Sequence, residues 1–311
     1  MQLLRHLNHV PFFPTGCAVT IGNFDGVHRG HATVLAKLAA EAKKLNLPTV
    51  VVIFEPQPRE VLAPEQAPVR LTSFHDKLQL LQQQPIDYVL CLRFDQALAN
   101  HSAEDFIQKI LVQKLNAKYI LIGDDFRFGK QRKGDFHLLQ KLGAELGFVA
   151  TAMHTVHENN QRISSTSIRE VLAAGDLSEA SYMLEHPYFI TGKVRRGAGR
   201  GKQWGFPTAN LRVPAKGLPV SGVFTVLVSN HQLQNHPAVA NVGTRPTVDG
   251  TQTVLEVLLL DFDGDLYGKR LRVEFLHKLR EEQRFVSPEL LIAQIQKDVV
   301  EAQKFFQCHP R

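Results

Sequence analysis

Two histidines, three residues apart, stand in the string of the sequence that is best suited to chemistry. The string covers residues 22–31, which read Gly-Asn-Phe-Asp-Gly-Val-His-Arg-Gly-His and separate a predicted strand from a predicted helix. A strand, a glycine-rich turn and a helix N-terminus together form an anion site from backbone N–H groups and the helix dipole. His28 and His31 can face the same phosphates there and stabilise charge on a leaving pyrophosphate, and Gly30 would let a nucleotide approach the backbone closely. The alternative is two ordinary polar histidines in a turn.

A second predicted helix start, in residues 163–169, offers hydroxyl groups to an anion. The string reads Ile-Ser-Ser-Thr-Ser-Ile-Arg, and Ser164 or Ser165 can cap the helix. A capped helix without a ligand is the common explanation when such a string stands alone. Beside the histidine string, a phosphate-binding role becomes the preferred interpretation.

The positive charge of the chain is unevenly distributed. The net charge is +6, and residues 188–311 contain 17 Lys and Arg against 11 Asp and Glu, whereas residues 1–187 contain 19 of each. A basic cluster at residues 193–202 suits phosphate groups, whether on a nucleotide or on nucleic acid. The string at residues 200–210 combines basic, glycine and hydroxyl residues, but it is neither a Walker phosphate loop nor a kinase glycine loop. By itself it is best explained as a turn closed by a Thr–Asn hydrogen bond.

Glu256 is the candidate general base. It lies within the apolar run 254–260, and strand alternation gives it only apolar same-face neighbours, while the opposite face is apolar as well. A carboxylate placed there should be buried or at the mouth of a pocket, where desolvation raises its pKa and suits it to accept a proton. An edge-strand glutamate or a buried ion pair with an arginine is the alternative.

The elements that must position these residues fall into two groups. In the first half, short apolar runs without alternation are separated by helical patterns such as residues 32–45, which predicts a parallel sheet covered on both sides. The predicted strands are residues 17–21, 50–54, 88–92, 119–122 and 148–152. Ligands of such sheets bind beyond the carboxyl ends of the strands.

The second half has the pattern of a small antiparallel β-barrel. Its predicted strands, linked by Gly-, Pro- and Asp-rich turns, are residues 188–194, 223–229, 253–260 and 271–276. A final helix follows, with Ser287 as its cap and Pro288 in its first position. The sequence therefore predicts an α/β domain at residues 1–185 and a barrel domain at residues 186–311.

Cysteine usage and hydropathy favour a cytoplasmic protein. Cys17, Cys91 and Cys308 are odd in number, far apart and without a Cys-x-x-Cys pair, which is typical of idle thiols in a reducing compartment. The first residues contain no signal-peptide core, and no apolar run is long enough to cross a bilayer.

Taken together, these strings resemble the bacterial bifunctional riboflavin kinase/FAD synthetase family. The histidine string resembles the H-x-G-H signature of nucleotidyltransferases, and the string at residues 200–210 resembles the riboflavin kinase motif that ends in Pro-Thr-Ala-Asn. Further strings match in order at residues 54–59, 123–129, 163–169, 240–247, 261–268 and 275–280. The resemblance implies a Rossmann-like nucleotidyltransferase sheet followed by a riboflavin kinase barrel with a terminal helix.

The resemblance also implies two reactions. At the N-terminal site, the FMN phosphate would attack the α-phosphorus of ATP and pyrophosphate would leave. At the C-terminal site, Glu256 would take a proton from the riboflavin 5′-hydroxyl as it attacks the γ-phosphorus, while Thr208 and Asn210 hold Mg²⁺. The residues implied at the first site are the catalytic His28 and His31 and the phosphate-binding Asn23, Asp25, Gly30, Asp125, Ser165, Thr166 and Arg169. The further ATP and flavin contacts implied at the second site are Arg200, Gly201, Lys202, Gly205, Phe206, Pro207 and Arg280.

The partners so implied are small molecules, namely riboflavin, FMN and ATP with Mg²⁺, and neither nucleic acid nor a membrane. Gln57 and Leu258 depart from the family pattern, because many members have histidine at both positions. Two other functions remain as alternatives. One is an adenylyltransferase whose barrel only binds flavin, against which the presence of Thr208, Asn210 and Glu256 argues. The other is a basic RNA-binding barrel, which requires exposed aromatics among the basic residues.

Overall fold

The computed structural model describes residues 1–153, 157–158, 161–197, 201, 204–247 and 250–309. Backbone contacts group the chain into two units, each of which is described by itself. The units are Met1–Pro68 with Lys77–Ser164, and Val69–Asp76 with Ser165–Arg311. Residues 165–185, predicted as part of the first domain, thus fall with the barrel by their backbone contacts. The domain boundary at residue 185 stays a prediction.

The first unit contains a parallel sheet of six strands in the order β1-β4-β3-β2-β5-β6. The strands are β1 (Gln2–Leu4), β2 (Cys17–Ile21), β3 (Thr49–Glu55), β4 (Tyr88–Arg93), β5 (Ala117–Gly123) and β6 (Val149–Met153). The sequence predicts five of them. In β2, β3, β4 and β5 most of the β-branched and apolar residues are buried, whereas the residues of β6, at the edge of the sheet, are exposed or half-buried. β1 is too short to produce a recognisable pattern.

Helices cover this sheet. α1 (Arg29–Leu45) buries Leu35, Leu38 and Ala42 and ends at Asn46, whose backbone is left-handed. The remaining helices in the first 153 residues are α2 (Pro58–Leu62), α3 (Phe74–Gln82), α4 (Gln96–Ala99), α5 (Ala103–Asp105), a π-helical segment (Phe106–Val112) and α6 (Phe136–Leu146). A two-stranded hairpin of β7 (His157–Glu158) and β8 (Gln161–Arg162) follows. Asp95 and Asp135 cap α4 and α6 by accepting backbone N–H groups at 3.0 and 2.9 Å.

The strand order places a switch point between β2 and β5. From β2 the chain continues to β3 and β4 on one side, and it then returns to β5 on the other side of β2. The loops that follow β2 and β5 therefore leave the same edge of the sheet side by side, where open α/β sheets bind their ligands.

The second unit contains a closed antiparallel barrel with the strand order β10-β13-β12-β11-β14-β9. Its strands are β9 (Phe189–Arg195), β10 (Ala209–Leu211), β11 (Gly222–Ser229), β12 (His236–Thr247), β13 (Gly250–Leu259) and β14 (Arg270–Arg280). The helices of this unit are α7 (Ser165–Ala174), α8 (Leu177–Leu184) and α9 (Pro288–Cys308). The predicted fold class, with a parallel sheet first and a barrel with a terminal helix second, is confirmed.

Residues of the barrel alternate between a packed interior and an outer face. Phe224 and Phe275 meet edge to face inside, with ring centroids 5.2 Å apart. On the outer face, Val223 and Val239 pack with Ala302 of α9. The Ser287 side chain accepts the backbone N–H of Leu290, as the predicted helix cap requires. No helix in the described part of the chain is long and apolar enough to span a bilayer.

The fold predicts that Phe224→Ala destabilises the barrel. Its ring is fully buried, so truncation leaves a cavity and should lower the free energy of unfolding by about 3–5 kcal/mol. Urea denaturation measures the change. The matched control is Phe12→Ala, because the Phe12 side chain is 86% exposed and its loss should cost no more than about 0.5 kcal/mol. Equal effects of the two substitutions would contradict this packing.

Candidate active sites

The turn between β2 and α1 has an unusual backbone. Phe24 and Val27 have φ values of 47° and 42°, and Gly26 between them has a φ of 85°. A left-handed backbone costs a residue with a side chain about 1–2 kcal/mol, and a β-branched valine adopts it least readily. The buried Phe24 and Val27 side chains offset this cost by packing in the core. The turn therefore has a fixed shape, and it delivers His28 to the N-cap position of α1.

His28 and His31 lie against each other at the start of α1. Their rings are stacked with centroids 3.7 Å apart, and the Phe24 ring lies 4.9 Å from that of His31. A Cβ atom at Gly30 would stand 3.2 Å from Nδ1 of His28. The glycine therefore makes room for the imidazole, which is a reason for its presence that the sequence pattern does not reveal.

His31 is neutral at pH 7 in the folded chain. Burial lowers the pKa of its imidazole well below the ordinary 6.5, and the neighbouring His28 and Lys77 lower it further. Nδ1 of His31 is buried and forms no hydrogen bond with any residue that the structure describes. Lys77 has no exposed surface. Burial and the positive charges nearby therefore keep the His31 imidazole in its neutral form.

The remaining predicted residues of the first unit follow the ends of β2 and β5. Asn23 is exposed and Asp25 is buried, both in the turn after β2. Asp125 is exposed in the turn after β5, and its carboxylate covers Gly123, at 3.3 Å from the position of a Cβ atom there. Because β2 and β5 are neighbours, these residues share one edge of the sheet with the histidine pair.

The three predicted phosphate-binding residues of the second helix start belong to the second unit. α7 begins at Ser165, with Ser165 half-buried and Thr166 exposed. The Arg169 guanidinium donates from Nε to the Val69 carbonyl and from Nη1 to the Ser165 carbonyl at 2.9 Å. Arg169 therefore joins the start of α7 to the segment Val69–Asp76 of the same unit, and its role towards phosphate stays a prediction.

A pocket of about 330 Å³ opens on the outer face of the barrel. Strand pairing sets Glu256 of β13 between Asn210 of β10 and Asn241 of β12. These three polar side chains, together with Thr208 and Arg245, line the same pocket. The apolar part of the lining is Trp204, Phe206, Val223, Val239, Leu258, Phe285, Leu291 and Ile295. The pocket thus has a polar end that contains Glu256 and an apolar wall that includes α9.

Glu256 forms an ion pair at the pocket surface. Its Oε1 lies 3.3 Å from Nη2 of Arg245, and the glutamate side chain is 27% exposed. Glu256 therefore lies at the mouth of a pocket, as the sequence predicts, and it also forms the ion pair with an arginine that the sequence leaves open as the alternative. One carboxylate oxygen contacts Arg245 and the other remains available to a substrate.

The predicted metal ligands lie beside Glu256. Nδ2 of Asn210 is 3.5 Å from the Thr208 carbonyl oxygen, and a Cβ atom at Gly197 would stand 2.7 Å from that amide nitrogen. The glycine gives the asparagine its space. Neutral oxygens of a hydroxyl and an amide are ligands that Mg²⁺ accepts when phosphate oxygens and water complete the shell. Among the described residues, no cluster of His, Cys, Asp and Glu could hold a metal by itself.

The other predicted kinase contacts have different outcomes. Gly201, Phe206 and Pro207 line the pocket, and the Gly201 carbonyl accepts the N–H groups of Trp204 and Phe206, which closes a tight turn. Gly205 has a φ of 84°, which explains the glycine. Arg200 and Lys202 lie outside the described residues. Arg280 lines the pocket but pairs with Asp298 of α9.

The two departures from the family pattern have structural roles. Gln57 is buried and forms a capping box with Glu60 at the start of α2, where Oε2 of Glu60 accepts the Gln57 N–H at 2.9 Å. Leu258 contributes to the apolar lining of the barrel pocket. Asn241 and Arg245 belong to the string at residues 240–247 that resembles the family, but the sequence predicts no role for either of them. Asp298 lies outside every predicted string. Strand register and the docking of α9 bring all three residues to the pocket.

Fold and sites together define a two-part transferase class, with a nucleotidyltransferase-like sheet and a separate barrel pocket. Residues 11–167 match the family model for FAD synthetase, and residues 184–306 match the model for riboflavin kinase. The chain belongs to the bifunctional riboflavin kinase/FMN adenylyltransferase family, as the sequence predicts.

Relatives in this family align over almost the whole chain. The bifunctional riboflavin kinase/FMN adenylyltransferase of Escherichia coli K12 is 48% identical over 307 residues, which are 98% of each chain. The relative from Haemophilus influenzae is 44% identical over 306 residues, covering 98% of this chain and 99% of its own. A crystal structure described as a macrolide-efflux protein from Streptococcus pneumoniae shares the fold, with a TM-score of 0.80, 28% identity and coverage of 97% of this chain and 98% of that one.

The lowered pKa of His31 predicts a pH-dependent contribution to stability. The unfolded chain binds a proton at this imidazole more readily than the folded chain does, so the contribution is complete above pH 6.5 and is lost as the pH falls below it. Relative to His31→Gln, the wild-type chain should lose up to about 1 kcal/mol of unfolding free energy between pH 7.5 and pH 5.5.

Urea denaturation of both chains at the two pH values measures this difference. His231→Gln is the matched control, because His231 is exposed. A difference between wild type and His31→Gln that does not change with pH would contradict the neutral state of His31.

Proposed function

We propose that the chain carries out its two reactions at two separate sites, one in each unit. The chain is a riboflavin kinase and an FMN adenylyltransferase, so it makes FMN and then FAD, with ATP as the second substrate of both steps. The barrel pocket is the proposed kinase site, and the helix start at His28 is the proposed centre of adenylylation. The observation that carries the first assignment is the row Asn210, Glu256 and Asn241 at the polar end of the pocket.

In the proposed kinase step, Glu256 accepts the proton of the riboflavin 5′-hydroxyl. The hydroxyl oxygen forms a bond to the γ-phosphorus of ATP, the bond from that phosphorus to the β–γ bridging oxygen breaks, and ADP leaves. Arg245 holds one carboxylate oxygen of Glu256 at 3.3 Å and so aims the other oxygen at the substrate. The apolar wall with Leu258, Leu291 and Ile295 suits the faces of the flavin ring.

Thr208 and Asn210 are the proposed holders of Mg²⁺ at this site. Their side-chain oxygens are neutral. Asn210 is paired with Glu256 across β10 and β13, and Thr208 lines the same pocket, so the donor set fits a hard cation that keeps water and phosphate ligands. When bound, the ion neutralises charge on the ATP phosphates. The chain's own residues orient the hydroxyl and take its proton.

In the proposed adenylylation step, an oxygen of the FMN phosphate attacks the α-phosphorus of ATP. The bond from that phosphorus to the α–β bridging oxygen breaks and pyrophosphate leaves, without a covalent enzyme intermediate. His28 and His31 donate hydrogen bonds to the charge that develops on the leaving group. Because His31 is neutral, it donates as an imidazole from one nitrogen and keeps its proton throughout. Asn23 and Asp125 of the same unit are proposed as further contacts to the nucleotide.

The position of the two aromatic residues supports small-molecule substrates over RNA. Trp204 and Phe206 line the pocket that contains Glu256. Stacking platforms for single-stranded RNA need aromatic rings that bases can reach.

We further propose that the reactions take place in the cytoplasm, since Cys17 and Cys91 are buried free thiols and Cys308 is an exposed one.

Glu256→Gln is expected to abolish FMN formation from riboflavin. The amide cannot accept the proton, and loss of a general base costs about 100-fold or more in rate. Formation of FAD from supplied FMN should continue at close to the wild-type rate, because that step uses the other unit. Chromatography of the products with riboflavin or FMN as substrate measures both steps.

The reciprocal variant, His31→Ala, is the control for this experiment. It should still make FMN from riboflavin but stall there, because a hydrogen-bond donor to the leaving pyrophosphate is missing. If either variant lost both steps while its fold was intact by circular dichroism, the assignment of two separate sites would be wrong.

A further inference from the structure

A charged contact at the barrel pocket joins Arg280, the last residue of β14, to Asp298 of α9. Nε of Arg280 donates to Oδ1 of Asp298 at 2.8 Å, and Nη2 donates to Oδ2 at 2.7 Å. The two side chains are only 16% and 4% exposed. This is a two-pronged pairing of a guanidinium with a carboxylate, the geometry that gives such pairs both strength and direction.

Neighbouring groups hold the pair in place. Gln294 donates from Nε2 to Oδ1 of Asp298 at 2.9 Å, and Nη1 of Arg280 donates to the Glu281 carbonyl at 3.0 Å. The guanidinium also lies 5.8 Å from the centre of the Phe285 ring. Each of the three guanidinium nitrogens therefore donates to an oxygen of the protein. Three of its five N–H groups are thus used within the fold, which indicates a positioning role for Arg280, a residue that the resemblance implies as a flavin contact.

Asp298 occupies the stripe of α9 that forms the pocket wall. Leu291, Ile295 and Asp298 recur at helical spacing and all line the pocket. A buried ion pair is costly to desolvate, and apolar residues of similar size often stabilise a fold as well or better. The pair is therefore poorly explained as a source of stability alone. Because the pair has a defined geometry, it fixes the rotation of α9 about its axis and the position of α9 along that axis relative to the end of β14.

We propose that the Arg280–Asp298 pair sets the affinity of the kinase site for riboflavin by fixing α9 as the wall against the flavin ring. The proposal rests on the proposed function of the barrel pocket as the kinase site. Arg280 and Asp298 are positioning residues, and neither takes part in phosphoryl transfer. Glu256 and Asn210 are held by the pairing of β13 and β10, so loss of the ion pair leaves the reacting end of the pocket in place.

Asp298→Asn in the full chain tests the proposal. It removes the charge but keeps the shape of the side chain, and the loss of a charge-assisted buried pair should raise the KM for riboflavin by about 10- to 100-fold. The kcat and the KM for ATP should stay within about threefold of wild type, since chemistry and nucleotide contacts are unchanged. Quenching of riboflavin fluorescence on titration with protein should give a dissociation constant that rises in parallel. FAD formation from supplied FMN should be unaffected.

The chain offers a matched control on the same strand. Arg272 and Glu274 of β14 form a similar pair, with Nε and Oε1 2.8 Å apart and side chains 34% and 17% exposed, but neither residue lines the pocket. Glu274→Gln should lower stability without changing the KM for riboflavin. Gln294→Ala is the milder variant in case Asp298→Asn fails to fold, because it removes a single hydrogen bond and should raise the KM by about two- to fivefold.

A wild-type KM for riboflavin in folded Asp298→Asn or Gln294→Ala, or a fall in kcat with no change in KM, would overturn the proposal. A KM that rises equally in Glu274→Gln would do the same, because the effect would then be one of stability. Failure of the proposed function looks different. If the barrel pocket were not the kinase site, Glu256→Gln would still form FMN. If Glu256→Gln formed no FMN and Asp298→Asn kept the wild-type KM for riboflavin, only the role of the ion pair would be refuted.

Discussion

The pairing of β13 with β10 on one side and β12 on the other is the constraint on which the proposed kinase site depends. This register sets Glu256 between Asn210 and Asn241, while its chain neighbours Leu255 and Val257 point into the barrel core. A shift of one residue would bury the carboxylate and expose the leucine, at the cost of both core and site. The strand alternation that turns Leu255 and Val257 into the core therefore also places Glu256 on the outer face.

The first unit builds its site from a different constraint. Its parallel strands end at a common edge, and the switch point leaves the turns after β2 and β5 open beside each other. The left-handed backbone at Phe24 and Val27 gives the first of these turns a fixed shape, so the histidine pair is held in place at the start of α1. Burial keeps His31 neutral, which favours hydrogen bonding over charge as its contribution. The first proposed site is thus built on the edge of a parallel sheet, and the second on the register of antiparallel strands.

Much of this organisation can be predicted from the sequence, because it is encoded locally. Buried parallel strands appear as short apolar runs, and the start of α9 appears as Ser287-Pro288. The three-residue strand β10 gives no such pattern, since Asn210 occupies its centre. The pairs Arg245–Glu256 and Arg280–Asp298 join residues 11 and 18 positions apart, so they exist only once strand register and helix docking are set. A sequence pattern shows the charges but not their partners.

The separation of the two sites is the central claim, and mixing two defective chains tests it most directly. Glu256→Gln and His31→Ala chains would be combined with riboflavin, ATP and Mg²⁺, and FAD would be followed by chromatography. The mixture should make FAD although neither chain does so alone, because FMN released from the intact barrel pocket of one chain reaches the intact N-terminal site of the other. If the mixture made no FAD while each chain kept its own remaining step, the two sites would not be independent and the account would be contradicted.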